Sequence, residues 1–189
     1  MRIGIALLTI LCFVPCSLGQ ASSSKSRRTT KPEDNYPTSL SREIHHQLLM
    51  LPYYSVFDAI AFAVDGSKVT LTGQVVRPTL KTEAEATVKS LEGVLTVVNK
   101  IEVLPAAPAD DELRRSVYRA IFEDSTLAHY AIKAVPPIHI IVKNGNVALE
   151  GMVDSVSDKN LAAARARGVA GVHSVENNLV VQPKGSTAQ

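Results

Sequence analysis

Two kinds of hydrophobic periodicity alternate along the chain, and the whole alternation occurs twice. Leu40, Ile44, Leu48 and Leu51 recur at helical spacing, and Pro52 ends that run. Residues 59–64 then switch to a period of two, with Ile60, Phe62 and Val64 on one face and three alanines on the other, as in a strand. Asp65-Gly66 is a turn signal and 69–75 alternates again, which predicts a hairpin. A second helix opens at Pro78-Thr79, buries Ala84, Val88 and Leu91, and stops at Gly93, a residue suited to the left-handed C-terminal position. A third strand is expected over 97–103, with Asn99, Ile101 and Val103 on one face.

The second half follows the same order. Residues 111–122 predict a helix with Leu113, Val117 and Ile121 inward. A longer connection, 124–137, carries Leu127, Tyr130, Ile132 and Val135 and is expected to fold over its own domain. Ile138, Ile140 and Val142 start a strand, and Asn144-Gly145 suits a type I′ turn because both positions need positive φ. Residues 147–153 form the next strand, Ser157 is read as the cap of a helix running to Arg167, and 175–181 form the last strand.

The segments 69–103 and 147–181 align without a gap at a constant offset of 78, which carries Gly73 to Gly151, Gly93 to Gly171 and Asn99 to Asn177. A fixed offset names the folding unit. The expected fold class is α+β: two tandem αββαβ domains, each a three-stranded mixed sheet covered on one face by two helices. The crossover into the third strand should be right-handed. The first domain is assigned to 38–104, a proline-stiffened linker to 105–110, the second domain to 111–183 and a polar tail to 184–189. Each unit is marginal in size, so docking of one on the other through an uncovered sheet face would help both.

The ends and the composition narrow the function. Residues 1–19 read as a secretory signal peptide: a basic start, an apolar run at 3–14 too short to span a bilayer, and small residues at Ser17 and Gly19. Both cysteines, Cys12 and Cys16, fall inside it, so the mature chain is expected to lack thiol chemistry. Pro15 before Cys16 fits a lipoprotein box badly. Residues 20–37, with Lys25, Arg27, Arg28 and Lys31, read as a disordered basic tether. A formal charge of +2 over 189 residues gives no polyanion footprint, so nucleic acid is not an expected partner.

Nothing in the sequence argues for catalysis. There is no nucleophile elbow, P-loop or dinucleotide fingerprint, and no cofactor or metal site is expected. His45 and His46 are adjacent on a helix and point about 100° apart, so they cannot chelate one ion together. His139 and His173 read as strand and loop residues, and Asp110-Asp111-Glu112 as carboxylates favoured at a helix N-terminus.

The pattern strand-Gly-x-Val, helix, Gly-Val, then Val-x-Asn resembles the BON domain, the bacterial osmotic-stress and nodulation module. It reads Leu71-Thr72-Gly73-Gln74-Val75, Gly93-Val94 and Val98-Asn99-Lys100-Ile101-Glu102-Val103 in the first copy. In the second it reads Leu149-Glu150-Gly151-Met152-Val153, Gly171-Val172 and Val175-Glu176-Asn177-Asn178-Leu179-Val180-Val181. The resemblance covers roughly 39–183 and implies a periplasmic or outer-envelope location and a role in envelope integrity under osmotic stress, often with phospholipid association. The sequence supplies a matching surface. With Val117 inward, Arg115, Tyr118, Arg119 and Phe122 are expected on the far side of their helix, an arginine and aromatic face suited to a membrane interface. Arg42, His45, His46 and Leu49 hold the corresponding positions in the first copy.

The expected function is therefore a non-enzymatic, membrane-associated envelope module, with anionic phospholipid or a membrane surface as partner. Two other readings stand beside it: a soluble periplasmic stress protein that shields unfolded clients, and an adaptor that docks envelope proteins through a free sheet face.

Overall fold

A computed structural model describes residues 39–133 and 135–182 of the protein. The expected signal peptide, the basic tether and the tail at 184–189 lie outside the described residues. In the first repeat, helix α1 (Ser39–Leu49) leads through residues 50–58 into the hairpin β1 (Ala59–Asp65) and β2 (Lys68–Val75). Helix α2 (Pro78–Lys89) then crosses over to β3 (Thr96–Asn99) and β4 (Glu102–Val103). In the second repeat, α3 (Pro108–Phe122) and a short 3-10 turn (Ala128–Ile132) precede β5 (Ile138–Lys143) and β6 (Asn146–Val153). Helix α4 (Val156–Arg167), β7 (Ser174–Asn177) and β8 (Val180–Val181) complete it.

This is the α+β architecture expected, two mixed sheets each with two helices. β1 and β2 pair antiparallel from Ala59↔Gln74 to Asp65↔Lys68, and β3 then runs parallel to β2 on its other side. The second sheet repeats the arrangement with β5, β6 and β7. Alternation puts Val69, Leu71 and Val75 of β2 under Ile44 and Leu48 of α1 and Leu80, Ala84 and Val88 of α2. The second core places Val147, Leu149 and Val153 with Val117, Ile121, Ala162 and Ala166.

The strand expected over 97–103 is interrupted. Pairing with β2 stops at Asn99 and resumes at Glu102. Asn99 turns its side chain onto the backbone: Nδ2 donates to the Lys81 carbonyl at 2.8 Å, and Oδ1 accepts from the Ile101 N–H at 3.1 Å. The local detour sinks Ile101 into the core and ties the third strand to α2. Asn177 does the same against the Lys159 carbonyl at 2.9 Å, and Leu179 is the residue sunk.

Two further details differ from the pattern. The cap of α4 is Ser155, whose Oγ accepts from the Asp158 N–H at 3.0 Å; Ser157 is already helical. Helix α3 begins at Pro108, three residues before 111, because proline fits the first helical position, where no N–H is needed. The 124–137 connection folds back as expected in part: Leu127 and Tyr130 are buried, while Ile132 is exposed.

Candidate ligand site at the seam between the repeats

The repeats meet along α3 and the edge of β5, and residues 51–58 of the first repeat lie over both. This strap is shaped by Asp58, only 2% exposed, whose carboxylate gathers three donors. Oδ2 accepts from the Ser55 N–H at 3.0 Å and the Ser55 hydroxyl at 2.7 Å, and Oδ1 accepts from the Val76 N–H at 2.8 Å. The turn so fixed delivers Val56 into the core of the second repeat and lays Phe57 against it. The Val56 carbonyl accepts from the Ile140 N–H at 2.7 Å, and Arg114 Nη2 donates to the Val142 carbonyl at 2.7 Å. Together they satisfy outward-facing backbone groups of β5, an edge that would otherwise invite pairing with another chain. Lys143 of β5 also bridges to Glu102 of β4 at 2.5 Å.

Helix α3 presents three stripes, because each residue advances roughly 100°. Leu113, Val117 and Ile121 face the core. Arg114, Tyr118 and Phe122 lie one step round, Arg114 beside the strap in a shared cleft, Tyr118 against Phe57 of the strap and Phe122 in the second core. The Tyr118 ring lies 6.2 Å from Phe57 and 4.7 Å from Phe122. Phe122 is only 6% exposed and Tyr118 is half-buried, so the aromatic ridge expected on the far side belongs to the seam. The third stripe, Arg115 and Arg119, is exposed. The expected set thus divides: two arginines face solvent, Tyr118 meets Phe57 of the first repeat, and Phe122 is buried in the second core. The sequence reading missed Arg114, 2% exposed, whose four-residue spacing from Tyr118 was the available signal.

Where strap, α2 and α3 converge there is an open cleft of about 470 Å³. Tyr53, Phe57 and Arg77 line it from the first repeat, and Arg114 and Arg115 from the second. Its two carboxylates are already engaged. Asp58 holds the strap, and Asp111 pairs with Arg114 Nη1. Tyr53 is 68% exposed, sits at φ 65°, and stacks on Arg77 with the guanidinium carbon 4.7 Å from the ring centroid. Positive φ is rare for a bulky residue and here turns the ring outward.

Behind the cleft, Tyr54 and His139 lie with ring centroids 5.6 Å apart. Burial raises the Tyr54 hydroxyl to about 12, with a backbone hydrogen bond at Ile60 opposing this and Asp58 adding to it. Burial lowers His139 below its ordinary 6.5, and backbone bonding at Ser55 and Asp58 together with the Asp58 charge oppose the shift. Glu102 is lowered by its hydrogen bonds from Gln74 and Lys143. Among the described residues no group of three or more His, Cys, Asp or Glu could hold a metal ion. Among the same residues no helix is long and apolar enough to cross a membrane.

The fold and its seam define a tandem module of two small α+β units, the first of which lends side chains to the core of the second. The chain belongs to the BON domain family: the domain is matched over residues 42–105 and again over 109–183. It is 39% identical over 80 residues to the outer membrane lipoprotein DolP of Haemophilus influenzae, a match covering 42% of this chain and 39% of that protein. The chain therefore spans well under half the length of that relative. Two solved structures of CdsD, a structural protein of the type III secretion system of Chlamydia trachomatis, align with 77% and 78% of this chain and with 98% and 94% of their own. Their identities are 13% and 14% and the TM-score is 0.31 in both.

Proposed function

We propose that the chain is a non-enzymatic module of the bacterial envelope, periplasmic and peripheral, that holds to anionic phospholipid and supports envelope integrity under osmotic stress. The observation that carries the reading is the exposed stripe of Arg115 and Arg119 on α3. These side chains stand one helical turn apart, and neither makes an ion pair among the described residues. Guanidinium groups so placed can reach headgroup phosphates in forked geometry. Each contributes ~1 kcal/mol at an anionic surface, so two give weak, reversible, salt-sensitive attachment. Tyr118 packs between Phe57 and Phe122, and Phe122 stays in the core. Membership of the BON family and the similarity to an outer membrane lipoprotein support the location.

The test is co-sedimentation of residues 20–189 with phosphatidylglycerol vesicles at low salt. Binding that is lost in Arg115→Glu/Arg119→Glu is the expected result. A protein left in the supernatant overturns the reading.

A further inference from the structure

We propose that the cleft between the repeats is a binding site for a phosphate group. Three guanidinium groups converge on it, Arg77 from the first repeat and Arg114 and Arg115 from the second. Only two carboxylates line it, Asp58 and Asp111. Asp58 is filled by Ser55 and Val76, and Asp111 serves Arg114. Arg77 and Arg115 have no acidic partner among the described residues. The lining therefore carries one positive charge more than its own carboxylates neutralise.

A second observation points the same way. Arg114 is almost wholly buried; Nη1 donates to Asp111 and Nη2 to the Val142 carbonyl, yet Nε is buried without an acceptor. Buried donors are nearly always satisfied, and an orphan N–H on a cleft-lining arginine asks for an acceptor. Nε is closed to solvent, so a phosphate oxygen reaches it only with a shift of the Arg114 side chain, while the phosphate charge balances the lining. Arg77 is held ready: its face is occupied by the Tyr53 ring, while the edge of a stacked guanidinium keeps its N–H donors for an oxyanion. Tyr53, which makes that stack, sits at positive φ, and local strain of this kind concentrates at ligand sites.

The site rests on the membrane reading only in the choice of anion, since a headgroup or free phosphate would present the same group. The experiment titrates the full chain with inorganic phosphate while amide shifts are followed, and separately adds vesicles of equimolar phosphatidylglycerol and phosphatidylcholine. Shifts confined to Phe57, Val76, Arg77 and Arg115, with affinity about tenfold weaker in Arg77→Gln and in Arg115→Gln, are expected. If phosphate is inert but vesicles broaden the same amides, and Arg77→Gln abolishes this, the site stands with a lipid headgroup as its source. Shifts absent with both probes, or unchanged in both variants, overturn it. Failure of vesicle binding with phosphate still bound at these amides removes the membrane reading and leaves the cleft standing.

Discussion

Glycine and histidine set the tightest local terms in this molecule. Gly73 and Gly151 sit in strands at φ 114° and 109°, and a Cβ on either would come within 2.0 Å of a backbone carbonyl oxygen, that of Ala59 or Pro137. Both the conformation and the space exclude a side chain. Gly151→Ala should cost about 3 kcal/mol or more, read as a lowered urea midpoint at unchanged m-value. His139 predicts an acid limb. Its folded value lies below the ordinary 6.5, so the unfolded chain takes up the proton first as pH falls. Its contribution is complete above that ordinary value and is lost as pH falls through the folded one. Tyr54, raised from 10 to about 12, acts at the other end: its contribution is whole below pH 10 and disappears as pH rises through about 12. Urea midpoints measured against pH should therefore fall on both sides, and His139→Phe should flatten the acid side alone.

At the level of elements, Asn99 and Asn177 convert one expected strand into two short ones and clamp a helix. Asn177→Ala would take the second, side-chain donor from the Lys159 carbonyl, which keeps its helical partner, and leave the Leu179 N–H without its acceptor. The expected loss is about 2 kcal/mol, with faster exchange of the Leu179 amide as the site-specific readout. The sequence made the strands, the helices and the Asn144-Gly145 turn legible because each follows a local rule of period or φ. It could not show the break at Asn99, since alternation alone cannot tell a strand residue from one whose side chain replaces the ladder bond. It could not show the strap either. Val56 and Phe57 look like residues between elements of the first repeat, and nothing local says that they complete the core of the second. The same long-range cover explains why Tyr118 and Phe122 were legible as a helix stripe but not as a buried one, while Arg115 and Arg119 kept the exposure that their position implies.

The whole molecule is two repeats by sequence but a coupled pair by packing. Val56 is buried among Val117, Ile121, Ile138 and other members of the second core, and the strap closes the edge of β5. Loss of the first repeat would expose Tyr118 and Phe122 and leave backbone groups of β5 unpaired, so the second repeat should depend on the first more than its own core suggests. Leu71→Ala tests this, because Leu71 is buried in the first core and is not among the residues of the second. The substitution should cost about 3 kcal/mol in its own repeat. If the repeats are coupled through the strap, native-state exchange at Leu149 and Val153 of β6 should speed up by about tenfold or more. Val56→Ala, which removes two buried methyls for about 2 kcal/mol, should weaken that transmission while leaving the first core intact. Unchanged protection of β6 in Leu71→Ala would instead mean that the two BON units unfold separately and that the seam is a contact without energetic consequence.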